Sequence, residues 1–110
     1  MLRLEADGPL IRTQDDAMDL IATTFTGGED VVVVPVERLD PEFFRLASGV
    51  AGEVVQKFVN YRRRLVVLGD VSAFVERSDA FRDWLREVDR GHDVLFVPDA
   101  EALARRIPGA

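Results

Sequence analysis

Glu53, Gln56, Lys57 and Asn60 recur at i, i+3, i+4 and i+7, so on a helix they line up as one polar stripe. Val54, Val55, Phe58 and Val59 form the apolar side of the same helix. Two readings fit such a stripe. One is a solvated outer face on which Glu53 and Lys57 pair at i, i+4 in the favourable order. The other is a hydrogen-bonding surface for a partner or a small ligand. The chain contains thirteen Arg and one Lys, and that one Lys falls in the stripe. A compact ammonium and a planar guanidinium are not interchangeable, which favours a binding role for Lys57.

Ser48-Gly49 opens the same helix. The serine oxygen suits an N-cap, where it accepts an otherwise unpaired backbone N–H. A phosphorylated serine would also suit a helix N-terminus, where a dianion meets the dipole and free amides. Asp70 and Ser72 stand just past an apolar run, and in an open parallel sheet ligands bind outside the carboxyl ends of the strands. The loops after Val34, Leu68 and Val97 are expected at that edge, where Ser48, Asp70, Ser72 and Asp99 could converge. There Asp70 would serve as acceptor or general base and Lys57 as the cation for an anionic ligand, or Asp70 and Ser72 would satisfy turn backbone. His92 is the only histidine and lies in a Gly-His-Asp turn; no second ligand or nucleophile aligns with it, so no metal site, cofactor or catalytic residue is expected. Gly49-x-x-Gly52 is too common a spacing for a phosphate loop.

The elements that must position these residues alternate along the chain. Leu2 to Ala6 alternates apolar and polar residues as a strand does, Asp7-Gly8-Pro9 is a turn, and Leu10-Ile11 begins a second strand, giving an N-terminal antiparallel hairpin. Thr13 caps a helix on which Met18, Ile21, Ala22 and Phe25 follow at helical spacing and which Gly27-Gly28 stops. The apolar runs Val31–Val34, Leu65–Leu68 and Val94–Val97 suit buried parallel strands. Asp40-Pro41 starts a short helix, Ser48-Gly49 a longer one ending near Arg63, Ser78 one carrying Phe81, Trp84, Leu85 and Val88, and Asp99 the last. The expected order is β-β-α-β-α-β-α-β-α, a single α/β domain spanning residues 1–110 with a mostly parallel sheet.

Composition bounds the function. The chain has 110 residues, 47% hydrophobic and 31% charged, and carries a net charge of −6. One globular domain follows, and the acidic balance argues against nucleic-acid binding, which rests on neutralising phosphates. With no cysteine, a disulfide scaffold, a thiolate zinc site and a cysteine nucleophile are excluded. The longest apolar run, Val31 to Val36, is far short of the roughly 20 residues a membrane span needs. Glu5 and Asp7 interrupt the N-terminus where a signal peptide would be apolar, so the expectation is a cytoplasmic protein away from membranes.

The helix from Ala51 to Tyr61 and the strand that ends in Gly69-Asp70-Val71-Ser72 resemble the family catalogued as domain of unknown function 4180. That family's signature is an A-G-E-x-x-Q-K-F-x-N-Y helix, a strand ending in G-D-x-S and an acidic helix ending in R-G. The matches are Ala51, Gly52, Glu53, Gln56, Lys57, Phe58, Asn60, Tyr61, Gly69, Asp70, Ser72, Glu87, Arg90 and Gly91. The resemblance names a relative with no established activity. More loosely, the order of elements, the Ser48-Gly49 pair and the Asp-Ala-Glu-Ala-Leu helix are similar to the STAS domain of anti-sigma-factor antagonists and sulphate transporters. In the antagonists a serine before glycine at that helix start is phosphorylated by a partner kinase; the Asp that stands two residues earlier there is Leu46 here.

Two functions of different class follow. The first is a STAS-like, non-enzymatic regulatory module that docks a protein partner through the Ser48 helix start and the Glu53 to Asn60 stripe. The second is a binder of a small anionic ligand, or an enzyme, using the strand-end cleft around Asp70. An exposed hairpin edge also invites a homodimer.

Overall fold

A computed structural model describes residues 1–108. The elements are β1 (Leu2–Arg3), α1 (Gln14–Gly27), β2 (Val31–Pro35), α2 (Val50–Asn60), β3 (Arg64–Leu68), α3 (Ser72–Arg77), α4 (Asp79–Asp89), β4 (Val94–Val97) and α5 (Ala100–Arg106). Three short 3-10 segments, Val36–Arg38, Pro41–Phe44 and Leu46–Ser48, join β2 to α2. The fold is α/β, and the four strands lie side by side in chain order, every pair parallel. Among the described residues no helix is long and apolar enough to cross a membrane.

The valine run of β2 and the leucine-valine run of β3 pair in register from Val31 opposite Arg64 to Pro35 opposite Leu68. Branched side chains pack well on a pleated surface, and residues of either parity are apolar because both faces are covered. Right-handed crossovers that always step to the next strand put every crossover helix on one face. On that face Val32, Val34, Leu65, Val67 and Val94 meet Ile21 of α1, Val54 and Phe58 of α2 and Phe81 of α4. The opposite face carries Val33, Val66, Leu95 and Val97, against Ala102 and Leu103 of the seven-residue α5.

Capping follows the sequence closely in places. Thr13 Oγ1 accepts from the Asp16 N–H at 3.1 Å, while the Asp16 carboxylate accepts from the N–H groups of Arg12 and Thr13 at 3.0 and 3.1 Å. Ser78 and Asp99 cap α4 and α5 as expected.

The expected N-terminal antiparallel hairpin does not form. Leu10 and Ile11 make no strand; Ile11 contributes one isolated parallel bridge to Leu39. Pro9 has no N–H to give to a ladder, and Arg38 claims the carbonyls a hairpin would use, donating from Nε to Pro9 at 2.8 Å and from Nη1 to Glu5 at 3.0 Å. β1 instead pairs parallel with β2, Leu2 opposite Val32. The order is therefore β-α-β-α-β-α-α-β-α, without the β-β start on which the STAS likeness and the hairpin-edge dimer both leaned.

Four smaller differences have local causes. Ser72–Arg77 forms a six-residue helix too short to show a period in sequence. α2 stops at Asn60, before Arg63, because Arg62 takes a left-handed φ of 55°. Gly49, with φ 81°, occupies the N-cap of α2 in place of Ser48. Finally, α1 buries Ala17, Ile21 and Thr24, which turns Ala22 and Phe25 outward.

Candidate functional site

The stripe lies where a helical reading places it, on the outer side of α2. Glu53, Gln56 and Asn60 are exposed and Lys57 is half-buried. Gln56 and Asn60 bond to each other, Nε2 to Oδ1 at 2.8 Å. Glu53 and Lys57 are not joined within the ion pairs of the described residues.

The stripe runs into a feature that sequence reasoning missed. The chain has seven Phe, one Tyr and one Trp, and only Phe25 and Tyr61 are largely exposed, at 51% and 40%. They touch, with ring centroids 5.8 Å apart. The Arg63 guanidinium lies over the Phe25 ring, 5.4 Å from its centroid. It is fastened there on two sides, Nε donating to the Thr24 hydroxyl at 2.8 Å and Nη1 to the Tyr61 carbonyl at 2.9 Å. Thr24 is fully buried. Thus α1 and α2 end together in an aromatic pair clamped by a cation.

The backbone here is also unusual. The Arg63 N–H reaches the Phe58 carbonyl at 2.8 Å and the Arg62 N–H reaches that of Val59 at 3.0 Å, the paired bonds of a Schellman motif. The left-handed position of that motif ordinarily holds glycine; here it holds Arg62. Tyr61 stands in the sequence signature but not in the polar stripe, and Phe25 sits four residues after Ile21, a spacing that reads equally well as core. The exposed pair was legible only once α1 and α2 were set side by side.

The chain belongs to the family described as Domain of unknown function (DUF4180). Its model matches residues 1–107. No curated protein and no solved structure matches the chain. Within this DUF4180 domain the helix that carries most of the signature, α2, is also the helix that presents the stripe and Tyr61.

Ser48 is exposed, and its hydroxyl is engaged three ways, facing the carbonyls of Glu42 and Arg45 at 2.6 and 2.7 Å and accepting from the Val50 N–H at 3.2 Å. This is what a serine tying the preceding 3-10 turns to the first turn of α2 would do. Asp70 and Ser72 come together at the end of β3, where Asp70 Oδ1 accepts from the Ser72 N–H at 2.9 Å. That bond, joined by one from the Ser72 side chain, holds the Asp70 carboxyl below its ordinary pKa and disfavours it as a proton acceptor near neutrality.

A cleft of about 410 Å³ lies beside this turn, walled by Val75, Leu85 and Phe96. The ionisable groups on its lining are Asp70 and Glu76, both acidic. Gly69 separates it from a neighbouring cavity of about 330 Å³ that includes Asp99. Lys57 and Ser48 line neither. The structure therefore brings Asp70 and Ser72 to one cleft and leaves Lys57 on a different surface. A lining of this sign attracts cations more readily than anions. The glycine at the junction is required by packing, because a Cβ at Gly69 would stand 2.6 Å from Val36 Cγ2, and its φ is +144°.

Among the described residues no group of three His, Cys, Asp or Glu could hold a metal ion. His92 is exposed, in a bend before β4.

Proposed function

We propose that this domain is a non-enzymatic interaction module whose docking face is the outer side of α2 together with the Phe25–Tyr61 pair. The observation that carries this reading is that pair: two exposed aromatic rings in contact, held by an arginine that is itself anchored to a buried threonine. Aromatic and arginine side chains dominate the energetics of protein interfaces, and rings ordered in advance lose little entropy on binding. Gln56 and Asn60 lie one turn away and supply hydrogen bonds that a partner can trade for the one they share.

The occupant is a protein partner with an acidic face. Lys57, Arg62 and Arg63 outnumber Glu53 here on a chain whose net charge is −6, so the face is locally opposite in sign to the molecule that bears it. A strained residue is a reason to suspect function, and Arg62 spends conformational energy where glycine would spend none.

The test places a photo-crosslinking side chain at position 61, and in parallel at Arg86 on α4. The expected outcome is an adduct with a different protein, mapped to an acidic segment, formed from position 61 only and lost in Phe25→Ser and in the Gln56→Ala/Asn60→Ala pair while their melting temperatures hold. Equal adducts from both positions, or adducts only with a second copy of this chain, would refute the reading.

A further inference from the structure

A second recognition site lies away from α2, where the Pro41–Phe44 turn meets α3. A cavity of about 330 Å³ opens there, at the small end of the range for ligand pockets. Its apolar wall is a layered stack. The Phe44 and Phe74 rings lie 3.9 Å apart and 8° from parallel, and the Arg77 guanidinium caps the outer side of Phe74, 5.2 Å from its centroid. Arg77 Nε donates to the Ala73 carbonyl at 3.1 Å, which leaves both terminal nitrogens, as a fixed pair of donors, without a bond to any described residue. The other charges on the lining cancel: Arg45 Nη1 reaches the two Glu42 carboxylate oxygens at 3.2 and 3.4 Å. The cavity therefore pairs a wall of stacked aromatic rings, seen edge-on, with one uncompensated guanidinium held in place at its rim.

We propose that this cavity binds a small aromatic carboxylate, the face of its ring against the edges of Phe44 and Phe74 and its carboxylate on the terminal nitrogens of Arg77. Guanidinium and carboxylate match as a two-pronged pair, and stacking on Phe74 holds the guanidinium in one orientation before the ligand arrives. A cation would meet Arg77 unfavourably, and a neutral ring would leave it unused. This site shares no residue with the docking face on α2, so each stands or falls without the other.

The experiment is a titration of the ¹⁵N-labelled protein with 2-naphthoate and, separately, with 2-naphthalenemethanol, which keeps the ring and lacks the charge. The expected result is saturable shifts at the backbone amides of residues 42–45 and 73–78, with the alcohol binding about tenfold more weakly, as the loss of one charge-assisted pair predicts. Arg77→Gln should weaken naphthoate by the same factor and leave the alcohol unchanged. Equal binding of the two probes by the unaltered protein overturns the proposal, and that comparison needs no variant to fold. The absence of saturable shifts, or shifts confined to the cleft beside Asp70, overturns it too.

Discussion

Thr24→Val tests the clamp on which the docking face depends. Valine has the shape of threonine, so the substitution opens no cavity, but it replaces a fully buried hydroxyl that accepts from Arg63 Nε at 2.8 Å and donates to the Ile21 carbonyl at 2.6 Å. A hydrogen bond to a charged group contributes about 1.5–3 kcal/mol net. Arg63 is half-buried and recovers some hydration, which places the cost in the lower part of that range, about 1.5–2 kcal/mol. For a domain of this size that is a fall in melting temperature of about 6–8 °C, with the urea m-value unchanged. Thr24→Ser keeps both hydroxyl contacts and loses one buried methyl, so it should cost only about 1 kcal/mol. Combining Thr24→Val with Arg63→Ala should give a total about 1–2 kcal/mol less than the sum of the two alone. Urea unfolding followed by Trp84 fluorescence measures the parent and all four variants. A Thr24→Val protein that melts within about 1 °C of the parent, or a double variant that is strictly additive, would show that Arg63 is not anchored through this bond.

Three further outcomes are expected. Arg62→Gly removes the left-handed strain at the end of α2 and should raise stability by up to about 1 kcal/mol in urea unfolding, while weakening crosslinking from position 61. Gly69→Ala places a Cβ 2.6 Å from Val36 Cγ2 at a φ of +144°, and should destabilise by about 1–3 kcal/mol in the same assay. The Asp16 carboxyl is held below its ordinary pKa, first by the Arg12 N–H and then by its Thr13 contacts. The capping box therefore contributes in full above the ordinary carboxylate range, and its contribution fades as pH falls from about 4 through the depressed value; Asp16→Asn should flatten this part of the acid limb of a urea-midpoint profile.

The parts of the fold that were legible in sequence are those that local chemistry decides. Thr13, Ser78 and Asp99 cap helices because a short oxygen-bearing side chain before an apolar period has few other uses, and the three apolar runs became the three longer strands. The failures are places where distant residues decide. Nothing within residues 4–12 shows that Arg38 will claim the Glu5 and Pro9 carbonyls and prevent a hairpin. Phe25 belongs to the right period for a core residue, yet the packing of α1 on α2 selects the stripe through Ala17, Ile21 and Thr24 and turns Phe25 toward Tyr61. For the candidate site the same division holds. The polar stripe is a matter of helical spacing and was read directly, whereas the aromatic clamp joins residues 39 positions apart through Thr24 and Arg63.

The order of the strands has a consequence for how the chain is made. Each parallel strand adds beside the one synthesised before it, so the helix-covered face can be assembled in step with translation. The opposite face has no such schedule. Val33, Val66, Leu95 and Val97 stay wet until Ala102 and Leu103 arrive, and those belong to α5, which is synthesised after all four strands. A chain truncated before residue 100 would present a sheet with one dry face and one adhesive one. Until α5 docks, that valine and leucine surface is the one a chaperone would have to cover.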